Sequence, residues 1–511
     1  MTAAPPSGGL PTAQPIDPND GIDPLQGVAR HGAWHMAAIV VPGIYTVLLI
    51  AYLLRTLGPE AYGIWAAATA LVGYLTLLDA GLSTTTARAA ARAVAGDEEA
   101  IAQVRTAYGA YALLACVAVL IGLLLGTLIP LILRLEGDLA TEAWLVAAFL
   151  ALDLGIVIAT AGWMGTLRGT RRFREMLAVN VVQVAVAVVL LLVLLSPLGL
   201  VGAAAAQPIG RVFGRSLAAF ILARQVSWFR ARPRWPGWAN LRTVTAFSLP
   251  ILAMQTATQL GVGTDVVIVG AAAGPTAAGL YAAGAQLSRY VGYFLFPALG
   301  VLLPSFSTAF FQRREAVPEL VRRAVLLTGL MGGTVYGTMA LQAETLIQIW
   351  SGQSAAVSVQ VLIFYALAWT IVTPTHVMML MVIASGRHRV IGAIVLAEAL
   401  VNLVLSIVFV SIMGPVGAAV SSFVVIIADD LLILPAVSAR ALGARTAPIL
   451  MGSLGGAVAG LGIAAAVNLV PVDGVEGLAL RGGLALVALL VAIAVLVPGS
   501  RALVAGRPPG A

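Results

Sequence analysis

The sequence predicts an all-α, polytopic membrane protein with two related six-helix lobes and two further C-terminal helices, fourteen spans in all. Three observations predict this. Fourteen apolar runs of 18 to 28 residues lie between Met36 and Val497, and a helix needs about 20 residues to cross the hydrocarbon core. Hydrophobic residues make up 60% of the chain and charged residues 10%, against about 25% charged in a soluble domain. The first half also reappears in the second about 216 residues later. Gly58-Pro59-Glu60-Ala61-Tyr62-Gly63 is echoed by Gly274-Pro275-Thr276-Ala277-Ala278-Gly279, and Gly199-Leu200-Val201-Gly202-Ala203-Ala204 by Gly414-Pro415-Val416-Gly417-Ala418-Ala419. Gly169-Thr170-Arg171-Arg172 is matched to Gly386-Arg387-His388-Arg389. Three echoes in one order mark an internal repeat, and membrane proteins built this way place a substrate path between the repeats.

The elements follow in order. Residues 1–34, rich in Pro, Gly and Asp near the start, read as a disordered cytoplasmic tail without the basic start and apolar core of a signal peptide. The first lobe, 35–223, takes spans Met36–Leu54, Tyr62–Leu82, Ala107–Leu133, Trp144–Leu167, Leu177–Leu195 and Ala203–Ala223. Gly-Pro pairs between spans predict tight turns that let the next helix start at once. Residues 224–246, with Trp228, Trp235 and Trp238 among arginines, form a cytoplasmic inter-lobe linker on anionic headgroups. The second lobe, 247–440, takes Phe247–Ala272, Ala277–Leu303, Ala324–Leu341, Val357–Ala384, Val390–Ile412 and Gly417–Val437. Residues 441–511 supply Ile449–Leu469, Leu478–Val497 and a short tail.

Arginine sets the orientation, because all 29 basic residues are Arg. With both termini in the cytoplasm, 23 arginines fall inside, among them Arg168, Arg171, Arg172, Arg174, Arg313, Arg314, Arg322 and Arg323. Arg55, Arg134 and Arg481 alone fall outside, a strong positive-inside bias. Trp34, Trp65, Trp144 and Trp350 sit at span ends as interfacial anchors. The single cysteine, Cys116, lies in an apolar run as a packing residue, so no intrachain disulfide forms.

Leu53-Leu54-Arg55-Thr56-Leu57-Gly58-Pro59-Glu60-Ala61-Tyr62-Gly63, followed by Leu78-Asp79-Ala80-Gly81-Leu82, resembles the opening of bacterial polysaccharide flippases of the O-antigen type. Asp265 before Gly274 and Gly279-Leu280-Tyr281, then Glu398-Ala399-Leu400-Val401-Asn402 leading into Gly414-Pro415-Val416-Gly417, is similar to their second half. This is the polysaccharide-transporter branch of the multidrug, oligosaccharidyl-lipid and polysaccharide exporter superfamily, and the resemblance covers roughly residues 35–440. It implies a V-shaped pair of six-helix lobes around a central cavity. It also implies movement of an isoprenoid-diphosphate-linked saccharide from the inner to the outer leaflet by alternating access, in a bacterial inner membrane.

Charges within spans are the candidate site residues, because each costs about 2.5–3.5 kcal/mol at the bilayer centre. At about 1.5 Å of rise per residue, Asp153, Arg211 and Asp265 come out at about 10–14 Å below the outer surface. Arg289, His376, Glu398 and Asp429 come out about 12 Å from the inner one. Gln207, Arg211 and Arg215 share one helix face by their four-residue spacing. That face either meets the diphosphate through the planar guanidinium forks or is structural, with Arg211 paired to Asp153 and Arg215 reaching the interface. Arg289 either contacts substrate or pairs with Glu398 or Asp429. Glu398, Asp429 and Asp430 with His376 are candidates for a coupling proton or Na+ site, as are Asp153 and Asp265. His376 reads equally as packing beside the kink expected at Pro374. Asp79, near a span end beside Gly81, either orients a loop or binds a ligand.

Enzyme signatures are missing from the sequence. With no Lys there is no phosphate-binding Gly-Lys-Ser/Thr loop. Four histidines and one cysteine show no metal-ligand spacing. The expectation is therefore no cofactor, no metal and no nucleic acid, with a lipid-linked saccharide and membrane lipids as partners. The alternatives are an ion-coupled multidrug exporter of the same superfamily, a lipid-linked peptidoglycan-precursor flippase, and an O-antigen polymerase or ligase. The last is disfavoured by the duplication and the short outer loops.

Overall fold

The computed structural model describes residues 24–79, 81–229, 238–300, 302–312, 315, 317–442, 445–472 and 474–496, and every element among them is helical. The first lobe contains α1 (Pro24–Gly73), a 3₁₀ turn at Tyr74–Asp79, α2 (Leu82–Ala93), α3 (Glu98–Gly126), α4 (Leu128–Leu133), α5 (Gly137–Gly169) and α6 (Phe173–Gln225). The second contains α7 (Trp238–Leu299), α8 (Leu302–Gln312), α9 (Val317–Leu341), α10 (Ala343–Ser351), α11 (Ala356–Ala384), α12 (His388–Met413) and α13 (Pro415–Ala428). A π turn at Asp429–Ile433 joins α13 to α14 (Leu434–Leu442), and α15 (Thr446–Asn468) and α16 (Gly474–Leu496) follow. Helix α1 takes in residues 24–34 of the expected tail, and 1–23 lie outside the described residues. Of the expected linker, 230–237 lie outside them too, as do Arg313 and Arg314.

Eleven helical stretches among the described residues are long and apolar enough to cross a membrane. Three of them contain a glycine off the helical backbone, and these are glycines of the repeat. Gly58 (φ 83°, ψ 176°) breaks α1 and Gly274 (φ 85°, ψ 175°) breaks α7. Gly199 (φ 54°, ψ −134°) breaks α6, and Gly414 (φ 68°, ψ −153°) divides α12 from α13 in the same manner. Left-handed φ is open to glycine at little cost, and Pro59, Pro275 and Pro415 then start the next helix with φ already set. The repeat is therefore structural as well as sequential.

One echo needs correcting. Helix α5 ends at Gly169 and α11 at Ala384, and α6 starts at Phe173 and α12 at His388, both at an offset of 215. Each of the two helix ends closes with paired backbone bonds. Arg171 N–H donates to Arg168 O and Arg172 N–H to Leu167 O, as Gly386 does to Ile383 and Arg387 to Val382. The residue with positive φ is Arg171 (56°) in one lobe and Gly386 (82°) in the other. Gly386 thus corresponds to Arg171 rather than Gly169.

The lobes meet along α1 and α7. A Cβ on Gly63 would fall 1.8 Å from the Pro275 carbonyl oxygen, and one on Gly279 would fall 1.9 Å from that of Pro59. This reciprocal approach is what a pseudo-twofold axis through the seam produces. Nearby, Arg55 donates from Nε and Nη2 to the Trp350 and Ile349 carbonyls, covering exposed acceptors in the last turn of α10. The Trp350 indole N–H donates to Val47 O at 3.2 Å. Trp65 and Trp350 are buried packing residues, so Trp34 and Trp144 alone of the four expected anchors are exposed. Cys116 is exposed rather than packed. Helix α15 docks on α9 through facing glycines: a Cβ on Gly456 would meet Leu326 O at 2.2 Å, and one on Gly333 would meet Ala457 O at 2.2 Å.

Candidate functional site

The polar residues inside the helices gather into three clusters. The first is on α6 after its Gly199 break. Gly210 and Gly214 let this half of the helix lie against the first half, where a Cβ on Gly214 would meet Gln183 Cβ at 2.8 Å. Val212 and Phe213 are exposed outward. Arg211 and Arg215, each next to one of these glycines, therefore turn toward the protein. Arg211 forms a two-pronged pair with Asp153 of α5, Nε to Oδ1 at 2.6 Å and Nη2 to Oδ2 at 2.7 Å. Gln207 Nε2 donates to the Tyr45 hydroxyl at 2.8 Å, tying α6 to α1. Arg215 is 9% exposed, and its Nε and Nη1 have no hydrogen-bond partner among the described residues. It shares the electrostatic neighbourhood of Arg211 and Asp153. One carboxylate thus faces two guanidinium groups.

The second cluster centres on Asp265, which is fully buried. Its carboxylate accepts from Tyr281 Oη (3.0 Å), Tyr365 Oη (3.2 Å), Ser406 Oγ (2.7 Å) and Ser422 Oγ (3.0 Å). These donors come from α7, α11, α12 and α13, so one side chain ties four helices together. Arg289 lies beside it, with its guanidinium carbon 5.7 Å from the Tyr365 ring centroid. Tyr62 of the first lobe is within electrostatic reach of Arg289, which places this arginine near the seam.

The third cluster lines one cavity of about 190 Å³ inside the second lobe. His376 comes from α11, Glu398 from α12, and Asp429 and Asp430 from the π turn. Apart from Thr375 and Trp369 the remaining wall is apolar. Among the described residues no arginine pairs with these acids. His376 stacks on Phe296, ring centroids 4.5 Å apart.

The structure therefore brings Gln207, Arg211, Arg215 and Asp153 together, and separately His376, Glu398, Asp429 and Asp430. Arg289 stands apart from the other two arginines and with Asp265, although the depth estimates had assigned those two to different layers. Asp79 accepts from Ser83 Oγ and Tyr111 Oη, orienting the turn before α2. Sequence reasoning missed the hydroxyl donors to Asp265 and the Tyr45 tie. The signal was the Ser421-Ser422 pair and Asn402 in otherwise apolar runs, since polar groups in a membrane helix seek partners.

Comparison with known proteins follows the same lines. The profile of a family described as "Polysaccharide biosynthesis protein" matches residues 28–310, more than half of the chain. A Shigella flexneri protein named "Putative O-antigen transporter" is 25% identical over 146 residues, 29% of this chain and 35% of the relative's length. Among solved structures, the lipid II flippase MurJ in an inward closed conformation superposes with a TM-score of 0.69. It is 12% identical and covers 91% of this chain and 97% of its own. An inward-facing multidrug resistance transporter of the MATE family gives 0.64 at 15% identity, over 86% of this chain and all of its own. A MOP superfamily transporter from Pyrococcus furiosus gives 0.59 at 16%, over 87% and 97%. At these identities the likeness is one of fold: the two-lobed helical fold of MOP superfamily transporters. With that fold, and with the family profile covering the whole first lobe and crossing into the second, the chain is a multi-pass membrane protein that belongs to the polysaccharide biosynthesis protein family.

Proposed function

We propose that the protein is a flippase that carries an isoprenoid-diphosphate-linked oligosaccharide from the inner to the outer leaflet of a bacterial inner membrane, for surface or extracellular polysaccharide synthesis. The observation that carries this reading is Arg215: a buried guanidinium with unused donors, beside an arginine already satisfied by Asp153. Removing a partner from a buried ion costs about 3–5 kcal/mol, so such an arginine favours an anionic ligand. A diphosphate has the charge and the oxygens to take its fork. Gln207 and Arg211 flank the same face, and Arg289, within electrostatic reach of Tyr62 of the first lobe, is the further candidate contact as the lobes move.

Breaking three of the eleven membrane-length stretches at Gly58, Gly199 and Gly274 makes fourteen segments, which supports a 6+6+2 arrangement with both termini cytoplasmic. The arginine bias supports the same orientation. On it, the close approach at Gly63 and Gly279 shuts the outer side, as an inward-facing carrier requires. A lipid-linked peptidoglycan precursor presents the same diphosphate and is the nearest alternative substrate.

The test is translocation by purified protein in proteoliposomes. Isoprenoid-diphosphate saccharides should cross, and cationic drugs should not. Arg215→Ala should lower translocation by about 10- to 100-fold, the value of one or two charge-assisted hydrogen bonds. Drug efflux without glycolipid movement would overturn the reading in favour of a multidrug exporter.

A further inference from the structure

We propose that the groove lined by α1, α6, α7 and α10 is a binding site for an anionic phospholipid of the outer leaflet, with its phosphate on Arg55 and an acyl chain lying along α1. The groove holds about 850 Å³ and is separate from the three polar clusters. Apart from the hydroxyls of Tyr45 and Tyr52 and the Trp350 indole, its side chains are apolar until Arg55, its single charged residue, at one end. Val41 and Arg55 mark its extent on α1. At about 1.5 Å of rise per residue they stand roughly 21 Å apart, and one leaflet of hydrocarbon is about 15 Å deep. An amphiphile with one charged head and a chain of leaflet length matches this layout.

The groove opens sideways, where Ile44, Leu48 and Leu192 are exposed. Water does not settle in a space without polar partners, so in a bilayer hydrocarbon fills it. Arg55 defines the head of the occupant. It is exposed, and its guanidinium is held by the last turn of α10, with Nε donating to the Trp350 carbonyl at 3.3 Å and Nη2 to that of Ile349. Gly352 ends α10 against the arginine stem, where a Cβ would fall 3.1 Å from Arg55 Cγ. Among the described residues no carboxylate lies within ion-pair distance of Arg55. A positive charge is thus fixed at the mouth of an apolar groove. Phosphate is the anion a membrane surface offers, and a guanidinium takes its oxygens well.

An isoprenoid-linked substrate also carries phosphate and an apolar chain, but the groove favours the phospholipid. None of Gln207, Arg211 and Arg215 lines it. Tyr45, whose hydroxyl bonds Gln207, lies ten residues from Arg55 on α1, about 15 Å of helix. A headgroup on Arg55 is therefore well removed from the face proposed for the diphosphate, and on the orientation that the arginine bias supports it lies at the outer surface. The walls come from both lobes: α1 and α6 from the first, Leu287 of α7 and Leu346 of α10 from the second. A ligand that needs both walls stabilises the arrangement in which they stand together. Membrane composition then sets how readily the lobes part, whatever the cargo.

The experiment places the full chain in nanodiscs of phosphatidylglycerol and phosphatidylcholine in equal parts, with the same acyl chains, and counts the lipids that stay bound by native mass spectrometry. The wild type should retain phosphatidylglycerol over phosphatidylcholine by about fivefold, the effect of one arginine at an anionic surface. Arg55→Gln should remove that preference. Leu48→Trp fills the groove from its lipid-exposed side, leaves Arg55 in place and should lower retention of both lipids. In detergent, added phosphatidylglycerol should raise the unfolding temperature of the wild type and leave that of Leu48→Trp unchanged. Equal retention of the two lipids by the wild type, or wild-type retention and thermal response in Leu48→Trp, overturns the proposal. Displacement of the bound phosphatidylglycerol by a sugar-free polyisoprenyl diphosphate that Leu48→Trp no longer binds also overturns it, and assigns the groove to the substrate. If Arg55→Gln does not fold, Leu48→Trp still decides. No readout requires transport, so failure of the flippase reading leaves the lipid site standing.

Discussion

The two lobes share a backbone plan and differ in what they bury. Their turns agree to within a few degrees at Gly58 and Gly274. The end of α5, the start of α6 and the break at Gly199 recur in the second lobe at one offset of 215. Yet the first lobe sets two arginines against one aspartate, and the second gathers three acids in one cavity and holds a fourth, Asp265, under hydroxyls beside the buried Arg289. Duplication preserves what the backbone needs: the positive-φ positions that end or break helices, and small residues at the seam. Side chains aimed into the protein are free to diverge, because nothing in the turns depends on them. The difference teaches that folding lies in the symmetry, and the proposed function draws on the asymmetry.

The comparison breaks most visibly if the charge asymmetry is erased. Arg215→Ala should abolish most glycan export while the protein still inserts, and Arg215→Lys should restore part of it, since charge returns without the fork. Export assayed in cells, with protein level checked by blot, tests this. Full export by Arg215→Ala would show that the unpaired guanidinium is structural.

Next in size is the seam, where symmetry is tightest. Gly63→Val and Gly279→Val should each push the lobes apart where they now touch, at about 1–3 kcal/mol from overpacking. Cysteines introduced at Arg55 and Ile349, joined by the Arg55 Nη2 hydrogen bond, should then be bridged by a short bifunctional reagent less efficiently than in the parent. Equal crosslinking would mean that the close approach is not what holds that side shut.

Asp153→Asn sharpens the first lobe. It releases Arg211 from its two-pronged pair and should strengthen binding of an isoprenoid diphosphate by about 3- to 10-fold, while lowering thermal stability. Weaker binding would show that Asp153 orients Arg211 for the ligand rather than competing with it.

The smallest effect concerns the helix end where the lobes use different residues. Arg171→Gly should raise stability by up to about 1 kcal/mol, because a left-handed residue loses its Cβ strain. Gly386→Ala should lower it by a similar amount, about 1 kcal/mol. Thermal unfolding in detergent reads both, and a gain from Gly386→Ala would contradict the shared geometry.

The sequence by itself determined the class of the molecule. Apolar runs of membrane length have one stable form in lipid, where every backbone group must bond within its own helix. Three glycine-centred echoes fixed the duplication, although Gly169 and Gly386 were matched two residues out of register because identity outweighed conformation. Helical spacing put Gln207, Arg211 and Arg215 on one face, and intramembrane cost singled out each charged candidate. Tertiary structure alone decided which charges meet. Asp153 reaches Arg211, 58 residues away, because glycines bring two halves of α6 together against α5. Asp265 collects donors as far as 157 residues along the chain, and Arg289 sits with it near the seam. Depth along one helix gives a height in the membrane and says nothing of azimuth. Which partner lies across the gap is set by how helices rotate and pack, and that is a property of the assembled bundle.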